Sequence, residues 1–197
     1  MALYQYDLYL VRERHDVPLF DELARAGLVQ PGRGADASVM SLGGTHAFAN
    51  RVELQLGTGR VLEVAALMID DQDVRLMTRD FDAFVAWLDA VARATDLLTA
   101  FMPGGPDTAA GKPGEHEYLT ALFEEGRVTV AHALMWFASD LASGALCAAT
   151  GAPYRKIVAP GLGCLFALVD VAADGSFEIL EPGSDRGHLL TSWRRGH

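Results

Sequence analysis

The sequence predicts an α+β fold, a mainly antiparallel sheet with helices packed on one face, and three observations carry that expectation. Residues 51–56 alternate apolar and polar, residues 60–69 run apolar, and Gly57, Thr58 and Gly59 join them, the pattern of a β-hairpin. Directly behind it, Phe81, Phe84, Val85, Leu88 and Val91 recur at helical spacing. A second strand-rich stretch, 164–171 and 177–180, closes around the turn residues Asp174 and Gly175. Both halves combine a hairpin with helices, but no residue-level repeat relates them, so one α+β domain is expected in preference to a duplication.

Taken in order, residues 3–11 form a first strand with Tyr4, Tyr6, Leu8 and Leu10 on one face and Gln5 and Asp7 on the other. A short helix follows, capped by Asp16, with Pro18 in its first turn, Phe20, Leu23 and Ala24 as its apolar stripe and Gly27 as its stop. A Gly-rich loop at 31–37 leads to a brief apolar run at 38–42 and the Gly43-Gly44 turn. After the hairpin, 74–77 reads as a third strand beyond the acidic turn 70–73, and the helix beginning behind Asp80 covers the sheet. Helices are expected near 115–125, stopped by Gly126, and near 130–143, stopped by Gly144; a further strand is expected at 156–159.

With 197 residues, half of them apolar, the chain can bury a substantial core. We expect one domain over 1–197. Its natural division is into lobes 1–102 and 115–197 on either side of 103–114, PGGPDTAAGKPG, a flexible loop too rich in Pro and Gly for helix or strand. The first ten residues lack a basic region followed by a continuous apolar run, and His132, Ser139, Asp140 and Ser143 interrupt the most apolar stretch, 128–150. Cys147 and Cys164 sit among apolar residues, as reduced structural thiols do. A cytoplasmic protein with no membrane partner is the resulting expectation.

Asp and Glu number 26 against 16 Lys and Arg, a net charge of −10, which repels phosphate backbones and argues against nucleic acid. The basic, Trp-bearing tail at 186–197 is too short to reverse that.

Motifs that would name a reaction are incomplete. Gly105 and Gly111 are separated by five residues instead of the four of a phosphate-binding loop, and Pro113 replaces the magnesium-binding hydroxyl residue. Glu115-His116-Glu117 begins like a zinc-protease helix, but Thr120 stands where the second His is required. Cys164 lies at a loop-to-strand junction, where a nucleophile could use His46, His116, His132 or His188 as its base; burial in an apolar strand is the simpler explanation.

Two features remain. Asp70, Asp71 and Asp73 gather at a strand end and, with Asp80, Asp82 and Asp89, give this segment a local acidic excess over Arg75 and Arg79. On the helix expected at 130–143, Trp136 shares a polar face with His132, Ser139, Asp140 and Ser143, a face without long charged side chains and so suited to packing against something. These observations lead to a non-catalytic protein-binding module, of inhibitor or immunity type, that presents Asp70, Asp71, Asp73, Asp80, Asp82 and Trp136 to a basic protein partner. No catalytic residue, metal ligand or cofactor is assigned. The alternative is a metal-assisted transferase or hydrolase that uses Asp70, Asp71 and Asp73. A homo-oligomer with Trp136 in its interface is a third reading.

Overall fold

The computed structural model describes residues 5–103, 115–126, 128, 132–138, 156–159 and 163–180. In chain order the elements are β1 (Gln5–Glu13), α1 (Leu19–Arg25), β2 (Gln30–Pro31), β3 (Asp36–Val39), a 3-10 turn (Met40–Leu42), β4 (Thr45–Gln55), β5 (Val61–Asp70), α2 (Asp71–Met77), α3 (Phe81–Thr95) and β6 (Thr99–Met102). They continue with α4 (Glu115–Glu124), β7 (Leu134–Ala138), β8 (Lys156–Ala159), β9 (Gly163–Ala167), β10 (Val169–Val171) and β11 (Phe177–Ile179). Nine strands form one sheet in the order β2-β3-β4-β5-β1-β6-β7-β9-β8, with every neighbouring pair antiparallel, and β10 and β11 form a separate hairpin. The fold is therefore α+β on a mainly antiparallel sheet, as the sequence predicts.

The first strand lies inside the sheet. β1 pairs with β5 along its whole length, from Gln5 opposite Asp70 to Glu13 opposite Leu62, and pairs with β6 on its other side through Tyr9 and Phe101. Strands from the two halves of the chain meet at β6 and β7, where Ala100 faces Trp136.

Alternation along β1 defines two faces of the sheet. Leu8 and Leu10 point to a core that also takes Leu19 and Leu23 of α1, Val74 and Met77 of α2, and Phe84, Leu88 and Val91 of α3. Val11 points the other way, to a core with Phe101, Met135 and Phe137 under Tyr118, Leu119 and Leu122 of α4. Three helices thus share one face and α4 lies on the other, so the helices are not confined to one face as the sequence reading expects. α4 is held at the closed end of the β4–β5 hairpin, where the Thr58 N–H donates to the Glu124 carboxylate and the Arg60 guanidinium lies 5.3 Å from the Phe123 ring centre. Burying each large apolar side chain contributes roughly 1.5–3 kcal/mol, and coverage of both faces lets the central strands read as continuous apolar runs.

Several expectations change in this setting. The helix expected at 130–143 is, over its described part, the strand β7. Leu134, Met135, Trp136 and Phe137 are all buried because β7 is covered on both sides, and such a run has no alternation to separate it from a buried helix. The strand expected at 74–77 is α2, because Val74 and Met77, three apart, reach one core from a helix that Asp70 caps. Asp16 does not cap α1: Pro18 holds the N-cap position, and the Leu19 N–H donates to Glu63 of β5 instead (2.9 Å). The run from 164 is split into β9 and β10 at Leu168.

The loop 104–114, Cys147, the polar residues Ser139, Asp140 and Ser143, and the basic tail lie outside the described residues. Among the described residues, no helix is long and apolar enough to cross a membrane.

Candidate functional site

The acidic segment occupies the end of β5, α2 and the start of α3. Asp70 is exposed and caps α2, one carboxylate oxygen accepting the N–H groups of Gln72 (2.8 Å) and Asp73 (2.9 Å). Asp80 does the same for α3 through the Ala83 N–H (3.0 Å), and exposed Asp82 follows in the first turn. Both caps place negative charge at the positive end of a helix, which accounts structurally for two of the acidic positions. Asp73 is half-buried, and Asp89, farther along α3, is buried. Asp71 opens α2. Among the described residues, no three His, Cys, Asp or Glu side chains group as a metal site.

The fold adds acidic residues that sequence reasoning did not connect. The β10–β11 hairpin docks on the α2–α3 junction: the Phe81 N–H donates to the Gly175 carbonyl (3.0 Å) and the Phe177 N–H to the Thr78 carbonyl (2.8 Å). Phe177 meets Phe81 edge-on at 5.1 Å between ring centres and Phe84 at 5.7 Å. Asp170 and Glu178, directly opposite one another on the hairpin, are exposed and line a shallow depression of about 280 Å³ with Ala172, Ser176 and Phe177. Asp174, at the turn, accepts from the Ser176 hydroxyl and backbone N–H, bonds that hold its carboxyl below the ordinary carboxylate value. Docked there, the hairpin adds Asp174, at its turn, and the outward-facing Asp170 and Glu178 to exposed Asp80 and Asp82 around the α2–α3 junction, with exposed Arg75 and Arg79 on α2 and its exit. The sequence signal for these residues was limited to charges at outward positions of two short strands.

A second charged cluster is internal. Arg12 is fully buried, and its guanidinium donates to Glu63 (2.9 Å), Glu22 (2.5 Å) and the Val17 carbonyl and meets His15 Nδ1 at 3.3 Å. Guanidinium has no acceptor, so His15 Nδ1 accepts and the ring proton sits on Nε2. Glu63, equally buried, also binds Arg51 (2.8 Å) and the Leu19 N–H. Every member finds opposite charge or a donor, the condition under which buried ions are tolerated. This cluster fixes α1 against the sheet.

Other candidates resolve into packing. Trp136, expected on an outward face, is 2 % exposed on β7, opposite Ala100 and Leu165, and has no surface to offer a partner or a second copy. Its indole N–H has no hydrogen-bond acceptor among the described residues. His132 is buried, stacked on Phe101 (4.8 Å) and edge-on to Tyr118 (4.4 Å). Cys164 is a free, buried thiol opposite Phe137 in the core beneath α4. Glu115, His116 and Glu117 are exposed at the start of α4.

One titrating pair stands on the α4 face of β1. Asp7 accepts from the Tyr9 hydroxyl (3.4 Å), and Tyr9 stacks on Phe101 at 4.8 Å. Burial raises the Asp7 carboxyl above 3.8; the Tyr9 bond opposes that and the Glu115 charge adds to it. Burial first, then the charges of Asp7 and Glu115, keep the Tyr9 phenol protonated well above its ordinary value. No family model matches this chain, and neither a curated protein nor a solved structure matches it.

Proposed function

We propose that the protein is a non-catalytic binding module of inhibitor or immunity type, acting in the cytoplasm, whose acidic edge meets a basic protein partner. The observation that carries this reading is the docking of the β10–β11 hairpin on the α2–α3 junction. It gathers Asp170, Asp174 and Glu178 with Asp80 and Asp82, nearly a hundred positions earlier in the chain, around that junction. Complementary charge of this kind raises association rate and selects against acidic competitors.

The depression between Asp170 and Glu178 is open and two-sided in carboxylates, suited to a Lys or Arg side chain from the partner. The test is affinity capture from the source cells with wild type and with an Asp82→Asn, Asp170→Asn, Glu178→Gln variant. The expected result is enrichment of one basic protein that the variant loses and that salt weakens. Enrichment equal to that on an unrelated acidic protein removes the reading.

A further inference from the structure

We infer a docking surface for one kind of occupant, a basic amphipathic helix of a protein partner, at the outer end of the sheet face that carries α4. This inference rests on the reading of the chain as a partner-binding module and names a second contact surface for it.

α4 runs from Glu115, whose charge acts on Asp7 and Tyr9 of β1, to Glu124 at the closed end of the β4–β5 hairpin, and shares a core there with Leu54, Leu56, Leu62 and Val64. Beyond it the same face carries Phe48, 50 % exposed, and Val52, 51 % exposed, against half-buried Met68. Phe48 and Val52 lie on one face of β4 with exposed Asn50 between them, and Phe48 is directly opposite Met68 on β5; large apolar side chains left this open on one face mark an interaction surface more often than a scattered surface residue does.

The register shows what flanks them. Asp36 on β3 is opposite Phe48 on β4, Phe48 is opposite Met68 on β5, and Met68 is opposite Asp7 on β1. One row across four strands therefore reads carboxylate, apolar, apolar, carboxylate. At about 4.8 Å per strand the two carboxylates stand roughly 14 Å apart. An α-helix is about 10–12 Å across with its side chains, so one laid over Phe48 and Met68 keeps its apolar stripe on them while Lys or Arg on one flank reaches exposed Asp36. On the other flank half-buried Asp7, one oxygen held by Tyr9 and the other enclosed without a partner among the described residues, adds its charge. Asp70, two residues beyond Met68 and on the same side of β5, extends the acidic rim toward α2.

Charge selects this occupant over two others. A second copy would bring the same carboxylates against themselves between chains of net charge −10, and an anionic lipid surface is repelled for the same reason.

The experiment uses the whole chain and a labelled Leu/Lys amphipathic peptide of about 15 residues, long enough to hold a helix. Anisotropy titrations would compare it with a Leu/Gln peptide of the same pattern. Wild type is expected to prefer the Lys peptide, and both Phe48→Ser and Asp36→Asn are expected to weaken it about tenfold, or about 1.4 kcal/mol. Both positions are exposed, and circular dichroism verifies that the variants keep the fold. The acidic-edge variant Asp82→Asn, Asp170→Asn, Glu178→Gln should bind the peptide as wild type does.

If that variant loses the peptide while Phe48→Ser keeps it, the docking surface is overturned and the edge reading survives. Equal binding of the Leu/Gln peptide overturns the role of the carboxylates, and indifference to all variants overturns the surface in favour of attraction by net charge. A wild-type dimer in sedimentation that Phe48→Ser disperses would make a second copy the occupant, and overturns the inference as well.

Discussion

Gly163 stands where no other residue fits: a Cβ there would meet the Phe137 carbonyl oxygen at 2.2 Å and the Trp136 ring at 2.6 Å. Phe137 and Trp136 both belong to β7, which is paired on each side, so Gly163→Ala should lower stability by about 1–3 kcal/mol in a denaturant melt, the range for overpacked cores. The pair also shows where sequence reading stops. Trp136 was legible as lying on a face without long charged side chains, but whether it sits on a helix or a strand depends on β6 and β9, which flank it in space and not in sequence. Asp7 yields to a different measurement. A carboxyl raised by burial takes up its proton in the folded chain before the unfolded chain does, so stability grows as pH falls from the folded value toward 3.8, and the buried charge is unfavourable above that window. Asp7→Asn should therefore be more stable than wild type near neutrality, with the difference shrinking on acidification, as followed by thermal melts across pH.

At the scale of the element, α1 owes its start to the sheet. Its first N–H is taken by Glu63, a residue 44 positions later that also holds Arg12 and Arg51. The helix stripe was readable from Phe20, Leu23 and Ala24; the cap was not, because the local candidate Asp16 is outcompeted by a carboxylate that folding brings near. Glu63 could have been suspected, since it is the one charge within the apolar run of β5 and Arg12 is likewise embedded in β1. Glu63→Gln should cost about 3–5 kcal/mol, as breaking a buried ion pair does. Glu53→Gln, on a half-exposed partner of Arg51 and Arg14, should cost no more than about 1 kcal/mol in the same urea titration. Asp70→Ala removes a cap and should cost about 0.5–2 kcal/mol, which separates its structural duty from any partner contact.

For the whole molecule, the antiparallel α+β architecture was legible because hairpin spacing and the α3 stripe are local signals, while the nine-strand order was not, since it depends on pairings such as β1 with β5 and β6 with β7. Of the candidate site, the acidic residues of α2 and α3 could be read; their union with Asp170, Asp174 and Glu178 needed the hairpin docked in place. The sheet's outline also bears on how the protein behaves in a crowd of its own kind. β3 pairs with β4 only as far as Phe48, so among the described residues the outer rim of residues 50–55 has no neighbouring strand, and the short outermost strand β2 ends in Pro31, which has no N–H to give. What occupies that open rim is the ion pair of Arg51 and Glu53, the kind of charge that keeps exposed strands from templating one another. Replacing both with Val would leave a β-prone ribbon beside exposed Val52, bare of the charges that disfavour edge-to-edge pairing, and would also take Arg51 from buried Glu63.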